Sequence, residues 1–277
     1  MSDETRPLAG LPAANRTLLA RAPLELAVVE VRFAAPVNDV DPDAGLRIYT
    51  RLGELGHPFA RLERAQEGRV SIQIQPGAQP ESQVEQVAAG WQLWTADGSA
   101  QATVMPGAVV LQTSRYERWS VSLRPALEAL LTVTGEVLEP AVVSRLGLRY
   151  IDRFVEPGAR TPAAWEGRIH PSLLGAVTHP VFGEHVRGAQ QQVELSFDDV
   201  HGALLRHGPF VDPAAGGAVS YLVDIDVFDL TPARFVAAEL VEGAEVLNRT
   251  AASLFQAAVT DEYLRVLQRP AGEEVAM

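Results

Sequence analysis

The chain contains no cysteine and no lysine, and its 23 basic residues are all arginine. These absences exclude more chemistry than any motif adds. Without a thiol there is no disulfide, no thiolate nucleophile and no cysteine-ligated zinc. Without an ε-amine there is no Schiff base, no lysine general base and no P-loop lysine against a phosphate. Long apolar runs are missing too: Ala126 to Val133 is among the longest, is too short to span a bilayer and contains Glu128. Met1-Ser-Asp-Glu-Thr-Arg-Pro7 begins acidic and builds no apolar core, so it does not read as a secretory signal, and the cytoplasm is the expected location. The net charge of −12 repels a phosphate backbone, so neither nucleic acid nor a membrane is an expected partner.

What is present is an ordinary globular balance, 47% hydrophobic and 21% charged. In Leu24 to Phe33, Val29, Val31 and Phe33 alternate with Glu30 and Arg32, the period of a half-buried strand. Asp43 to Leu55 reads as a helix, started by Asp41-Pro-Asp43 and stopped by Gly56. Val70 to Gln75 reads as a short strand. Gln101 to Met105 and Ala108 to Thr113 read as a hairpin across Pro106-Gly107. Tyr116 to Val133 reads as an amphipathic helix that Pro125 either disturbs or truly starts. Val142 to Phe154, Gln190 to Phe197, Gly202 to His207 and Val219 to Phe228 read as strands, and Trp165 to Leu174 as a short helix. Pro232 to Leu267 reads as one long helix with Val241, Ala244, Leu247, Ala251, Leu254 and Ala258 in an apolar stripe.

The expected fold is α+β: two related halves, 21–156 and 163–269, with antiparallel sheet or sheets and long helices packed on one face. Residues 1–20 and 270–277 are expected to be loose. A single continuous helix over 232–267 would be about 54 Å long at 1.5 Å per residue. Its stripe needs cover along that length, which predicts a homodimer.

The strands carry an unusual polar pattern. Arg145, Gly147 and Arg149 share one strand face, and Asp224 and Asp226 share another. Gln190, Gln192, Glu194 and Ser196 do the same, as do Glu30 and Arg32. If these faces coincide, the sheet has a side of arginines, carboxylates and amides, with Gly147 leaving room for a ligand or another backbone. Arg145, Arg149, Asp224, Asp226 and Arg32 are therefore the candidate ligand-binding residues, suited to a carboxylate, a phosphate or an acidic partner. The same pattern suits a solvated sheet with cross-strand ion pairs worth about 0.2–1 kcal/mol each. In either case Arg145 and Arg149 should lie within ion-pair reach of Asp224 or Asp226.

Other chemistry is thinly supported. Val223-Asp224-Ile-Asp226-Val227 has the shape of the strand with which nucleotidyltransferases hold Mg²⁺. The Gly-Ser turn a helix earlier and the third carboxylate on a later strand are missing. His170, His179, His185, His201 and His207 cluster in sequence, yet without H-E-x-x-H spacing, so no metal is expected. There is no G-x-S-x-G elbow and no glycine-rich nucleotide fingerprint, so no catalytic residue and no cofactor are assigned. Trp91 and Trp94 could stack on a base or sugar, or simply pack beside a turn.

Several segments resemble a sporadically distributed, uncharacterised bacterial protein family. They are Ala22 to Phe33, Trp91 to Gly98, Tyr116 to Trp119, Arg145-Leu-Gly-Leu-Arg-Tyr-Ile-Asp152, Leu222-Val-Asp-Ile-Asp226 and Phe255 to Asp261. The resemblance implies a free-standing soluble bacterial protein, with a patchy distribution like that of defence or toxin–immunity genes. It names no substrate and no catalytic residue. The leading expectation is thus a non-enzymatic binding or interaction protein. The alternatives are a Mg²⁺-dependent nucleotidyl or phosphoryl-transfer enzyme centred on Asp224 and Asp226, and a small acidic-ligand carrier using the arginine-lined face.

Overall fold

The computed structural model describes residues 6–37, 40–57, 59–73 and 81–270, with 66–73 and 81–89 as backbone only. Ten strands form one antiparallel sheet: β1 Leu24–Phe33, β2 Arg61–Gln73, β3 Glu81–Trp94, β4 Ala100–Met105, β5 Ala108–Thr113, β6 Val142–Phe154, β7 Gln191–Ser196, β8 His201–Asp212, β9 Ala218–Asp229 and β10 Ala233–Arg234. The order is β2-β3-β4-β5-β1-β6-β9-β8-β7, with the two-residue β10 beside β6. Among the described residues five α-helices accompany it: α1 Pro42–Glu54, α2 Arg124–Leu138, α3 Pro171–Leu174, α4 Ala237–Ala258 and α5 Asp261–Leu267.

The helices lie on one face because each central strand is apolar at alternate positions only. Val29 and Val31 of β1, Leu146 and Leu148 of β6, and Val223, Ile225 and Val227 of β9 are all buried beneath them. α4 packs on β6 and β9, α2 on β5 and on α4, and α1 on α2, β2 and β3. An aromatic cluster closes one end: Phe154 stacks on Phe255, and Trp165 meets Phe154, Tyr221 and Tyr263 edge-on or tilted.

α1 starts as its sequence demands. The Asp41 carboxylate accepts from the Ala44 N–H at 2.6 Å and Pro42 occupies the first turn, where no intrahelical donor is lost. Trp91 is a structural pin: its Nε1 donates to the Val40 and Asp41 carbonyls at 3.1 Å each, holding the start of α1 against β3. The N-terminal stretch is tied down from Leu8 onward. Leu8 N–H donates to the Thr250 hydroxyl, and Asn15 exchanges two hydrogen bonds with the Gln256 side chain on α4.

Several expectations change. The Tyr116–Val133 helix begins with a π-helical turn, Trp119–Leu123, and becomes α-helical only at Arg124, with Pro125 in the first turn of α2. Trp165–Leu174 is two short turns, Pro162–Trp165 and Pro171–Leu174. The 232–267 helix is broken. Val259 is extended and bridges Ile169, and the Thr260 hydroxyl then caps α5 by accepting from Tyr263 N–H. The break sits at Val259; of the stripe, Val241, Ala244, Leu247, Ala251 and Ala258 are buried within the single chain and Leu254 is half-buried against the same core. The long stripe therefore needs no second copy to cover it. The strand expected at 70–75 falls, over 70–73, in the far part of the longer β2, with Ile74 and Gln75 outside the described residues.

Gly208 of β8 shows how closely the edge packs. Its φ is +150°, and a Cβ there would sit 1.8 Å from the Ala189 carbonyl oxygen. Gly208→Ala should therefore destabilise the protein by about 2–4 kcal/mol, combining backbone strain with a clash against backbone that cannot yield. Gly216→Ala, with nothing within 4 Å, bears only the strain of its +66° φ and should cost less. Urea denaturation midpoints of the two variants check the difference.

Candidate functional site

The face of the sheet opposite the helices holds the polar pattern, and register explains how. β1 and β6 pair with Val28 opposite Arg149 and Glu30 opposite Gly147. β6 and β9 pair with Arg149 opposite Asp226 and Ile151 opposite Asp224. β8 brings Arg206 opposite Asp224, and β7 brings Gln192 opposite Arg206. Side chains of one parity on five strands thus converge on a single surface.

The expected ion pairs are present. Arg149 makes a two-pronged contact with Asp224, Nε to Oδ1 and Nη2 to Oδ2, both at 2.7 Å. Arg145 donates to Glu30 at 2.6 Å and to Asp226 at 2.8 Å. Arg32 lies 3.0 Å from Glu30 but is 56% exposed, at the margin of the cluster. Two residues that had not been singled out complete the lattice. Arg206 reaches Asp224 at 3.4 Å and Gln192 at 3.3 Å, and Arg153 reaches Glu25 at 2.5 Å and Asp212 at 2.6 Å. Strand parity against the apolar Ala203 and Leu205 could have placed Arg206 on this face, but its partner becomes visible only once β8 is known to lie beside β9.

Gly147 leaves room for a side chain of its own strand. A Cβ at Gly147 would lie 2.1 Å from Arg145 Nη1, so the guanidinium lies flat over the glycine. The Phe228 ring centroid is 5.6 Å from Arg145 Cζ, within cation–π range. The space read as a ligand position is thus filled by Arg145, whose two arms are engaged by carboxylates. Arg149 differs. Its side chain is 42% exposed and its Nη1 has no hydrogen-bond partner among the described residues. Asp224, 4% exposed, is shared between Arg149 and Arg206, so these three side chains sum to one positive charge, with the Asp226 carboxylate opposite Arg149 acting on it as well.

Behind the sheet lies a second polar group. Asp152 is 3% exposed, and among the described residues no cation pairs with it. Burial first, and the negative charge of Asp224 second, push its carboxyl well above the usual carboxylate range. On the same strand face the Tyr150 hydroxyl lies 3.0 Å from that of Tyr116 and 2.7 Å from Asn248 Oδ1.

The histidines go separate ways. His170 caps α3, His179 stacks on Phe182, His201 pairs with Asp198, and buried His207 lies 2.9 Å from the Tyr221 hydroxyl. Among the described residues no three His, Asp or Glu side chains gather at metal-ligand distance. Also among them, no helix is long and apolar enough to cross a membrane. A cleft of about 240 Å³ opens between His57, Phe59, Ser122 and Leu123, and one of about 210 Å³ between Arg21, Arg153 and Tyr263. Neither is lined by Arg149, Asp224 or Asp226; of the charged lattice Arg153 alone reaches a cleft, so its centre is an open surface. No protein-family model matches the chain, and no curated protein sequence does.

Two predictions follow from this geometry. Arg145→Gln leaves Glu30 and Asp226 facing each other without their shared cation, and should cost about 2–4 kcal/mol. Arg51→Gln, which loses only exposed partners on α1 and α2, should leave the denaturation midpoint unchanged. For Asp152, the folded-state pKa lies above the unfolded one. Stability therefore falls as pH rises from about 4, where the unfolded carboxyl ionises, toward the higher folded value. Asp152→Asn should accordingly be more stable than the parent at pH 7, with the gain vanishing below about pH 4 where both carboxyl states are protonated. Paired urea titrations at the two pH values test this.

Proposed function

We propose that the protein is a non-enzymatic interaction protein whose open sheet face docks an acidic segment of a partner protein on Arg149. The observation that carries this is the unequal exposure of the two central arginines, 16% for the Arg145 side chain and 42% for that of Arg149. Arg145 is held between Glu30 and Asp226, whereas Arg149 keeps Nη1 free beside an Asp224 that Arg206 also neutralises. A guanidinium held rigid by a two-pronged carboxylate contact and still offering a donor is a preorganised receptor for a second carboxylate. The surrounding surface is a sheet face, which fits an extended or flat partner better than a small ligand.

The Mg²⁺-enzyme reading loses support at the same residues. Both oxygens of Asp224 are occupied by Arg149, and Asp226 accepts from Arg145. A carboxylate bound in this way must first release its guanidinium to ligate a cation.

The reading of two related halves is supported by strand order. Counted outward from the centre, one side runs β1, β5, β4, β3, β2 and the other β6, β9, β8, β7. On each side the first strand in sequence lies at the centre, pairs with the last strand of a following meander, and precedes a helix packed on the sheet, α2 or α4. The two halves then meet at the antiparallel β1–β6 pair, with Arg149 opposite Val28.

The test uses fluorescein-labelled hexaglutamate and anisotropy at moderate salt. The parent protein should bind it, and Arg149→Gln should weaken binding about tenfold or more. Val28→Glu keeps the Asp224 pairing and offers Arg149 Nη1 a carboxylate from the same face, so it should weaken binding similarly while circular dichroism stays unchanged. Displacement by citrate alone at equal charge would favour a small-acid carrier. No binding by the parent, or equal binding by both variants, overturns the proposal.

A further inference from the structure

The sheet ends differently at its two edges. β2 carries Arg61, Glu63, Arg64, Glu67 and Arg69, and its register with β3 shifts between Ala65 and Gln66. Charges and bulges are the usual guards against edge-to-edge pairing. β7, at the other end, reads Gln-Gln-Val-Glu-Leu-Ser, with one charge, no proline and an unshifted register against β8. Its residues are mostly exposed, Val193 among them at 36%. The loop that leads into it exposes Val181 at 79% and Phe182 at 45%.

The direction of each backbone group along β7 follows from two bonds at its ends. Ala189 N–H donates to the Pro209 carbonyl, and Phe197 N–H to the His201 carbonyl. Odd-numbered residues therefore face β8, and Gln192, Glu194 and Ser196 point their N–H and C=O groups away from the sheet. These are the groups a further strand would satisfy.

We infer that β7 pairs antiparallel with β7 of a second copy, joining the two sheets across a two-fold axis at Val193. Only residues with outward-facing backbone groups can form the hydrogen-bonded pairs, which limits the registers. Centring on Glu194 sets two like charges face to face, which is destabilising. Centring on Leu195 leaves half of the strand unpaired. Centring on Val193 sets Gln192 against Glu194 of the partner subunit, and Gln190 against the partner's Ser196. It also places the two exposed Val193 side chains together at a non-hydrogen-bonded position, where Cα atoms approach to about 4.5 Å. Charge agrees with this register. Arg206, bonded to Gln192 through Nε, stands on the same face one strand inward from the partner's Glu194.

The absence of cysteine makes the test clean, because an introduced thiol is the only one in the chain. Val193→Cys should form an intermolecular disulfide under mild oxidation, since about 4.5 Å lies within the range such bonds span. Leu18→Cys, exposed elsewhere, should not. Glu194→Pro removes an N–H that faces away from β8, so the fold is retained while the interface is broken. Sedimentation equilibrium at micromolar concentration should give twice the 29.8 kDa chain mass for the parent and the single mass for Glu194→Pro, with equal thermal midpoints at low concentration. A parent that is monomeric throughout overturns the inference. So does a dimer that persists in Glu194→Pro, or one in which Val193→Cys stays reduced under oxidation.

Discussion

The pairing of β1 with β6 is the contact on which the rest of the molecule depends. It joins the five-strand side of the sheet to the four-strand side, and its register decides which charges meet. A slip of one residue would turn Arg145 and Arg149 toward the helices and Leu146 and Leu148 toward solvent. The register is therefore held from both faces at once. On one side, Val29, Val31, Leu146 and Leu148 are buried at 0–5% exposure. On the other, Glu30 meets Arg145 only in this alignment.

Arginine is what allows the open face to be so densely charged. A guanidinium is planar, so Arg145 can lie flat over Gly147 and still reach carboxylates on strands to either side. A lysine ammonium is a point charge on a flexible stem and would serve one partner at a time. The glycine is the complementary element: any larger residue at 147 would lift the guanidinium off the strand. Arg149 illustrates the same fork differently, spending two nitrogens on Asp224 and keeping the third. Residue type, glycine placement and register together produce one arginine held between two carboxylates and one half-exposed arginine held by a single carboxylate, four positions apart on a strand.

Where the signal was local, the fold was legible in the sequence. β1 has the same limits in both: Val29 to Phe33 alternates, and the largely apolar run before it continues the strand back to Leu24. The Pro106-Gly107 hairpin and the Asp41 cap of α1 are read from three or four residues each. The break at Val259 carried a local sign that the apolar stripe masked: Thr260 followed by Asp261 and Glu262 is the composition of a helix start. β2 was legible only in its far part, because charges at 61, 63, 64, 67 and 69 do not alternate with apolar residues. In the candidate site, Arg145, Arg149, Asp224 and Asp226 were legible because strand parity aligns them within each strand. Arg206 and Arg153 were not, because their partners lie on strands distant in sequence, and the filling of Gly147 was not, because Glu30 and Asp226, equally distant, hold Arg145 over it.

The open face also works against the field of the whole molecule. The chain carries a net charge of −12, so an acidic segment approaching Arg149 meets repulsion at long range and attraction only on contact. Salt screens the distant charges over about 10 Å at 0.1 M, while a contact between two partly buried groups is screened much less. Moderate salt should therefore speed encounter more than it weakens the docked pair, the reverse of an electrostatically steered complex. Under the docking proposal, such an arrangement would select by fit. An acidic partner that cannot lie flat along the sheet gains nothing from the single free guanidinium nitrogen and still pays the repulsion of the surface around it. Discrimination then rests on the shape of the face and on the rigidity with which Asp224 holds Arg149.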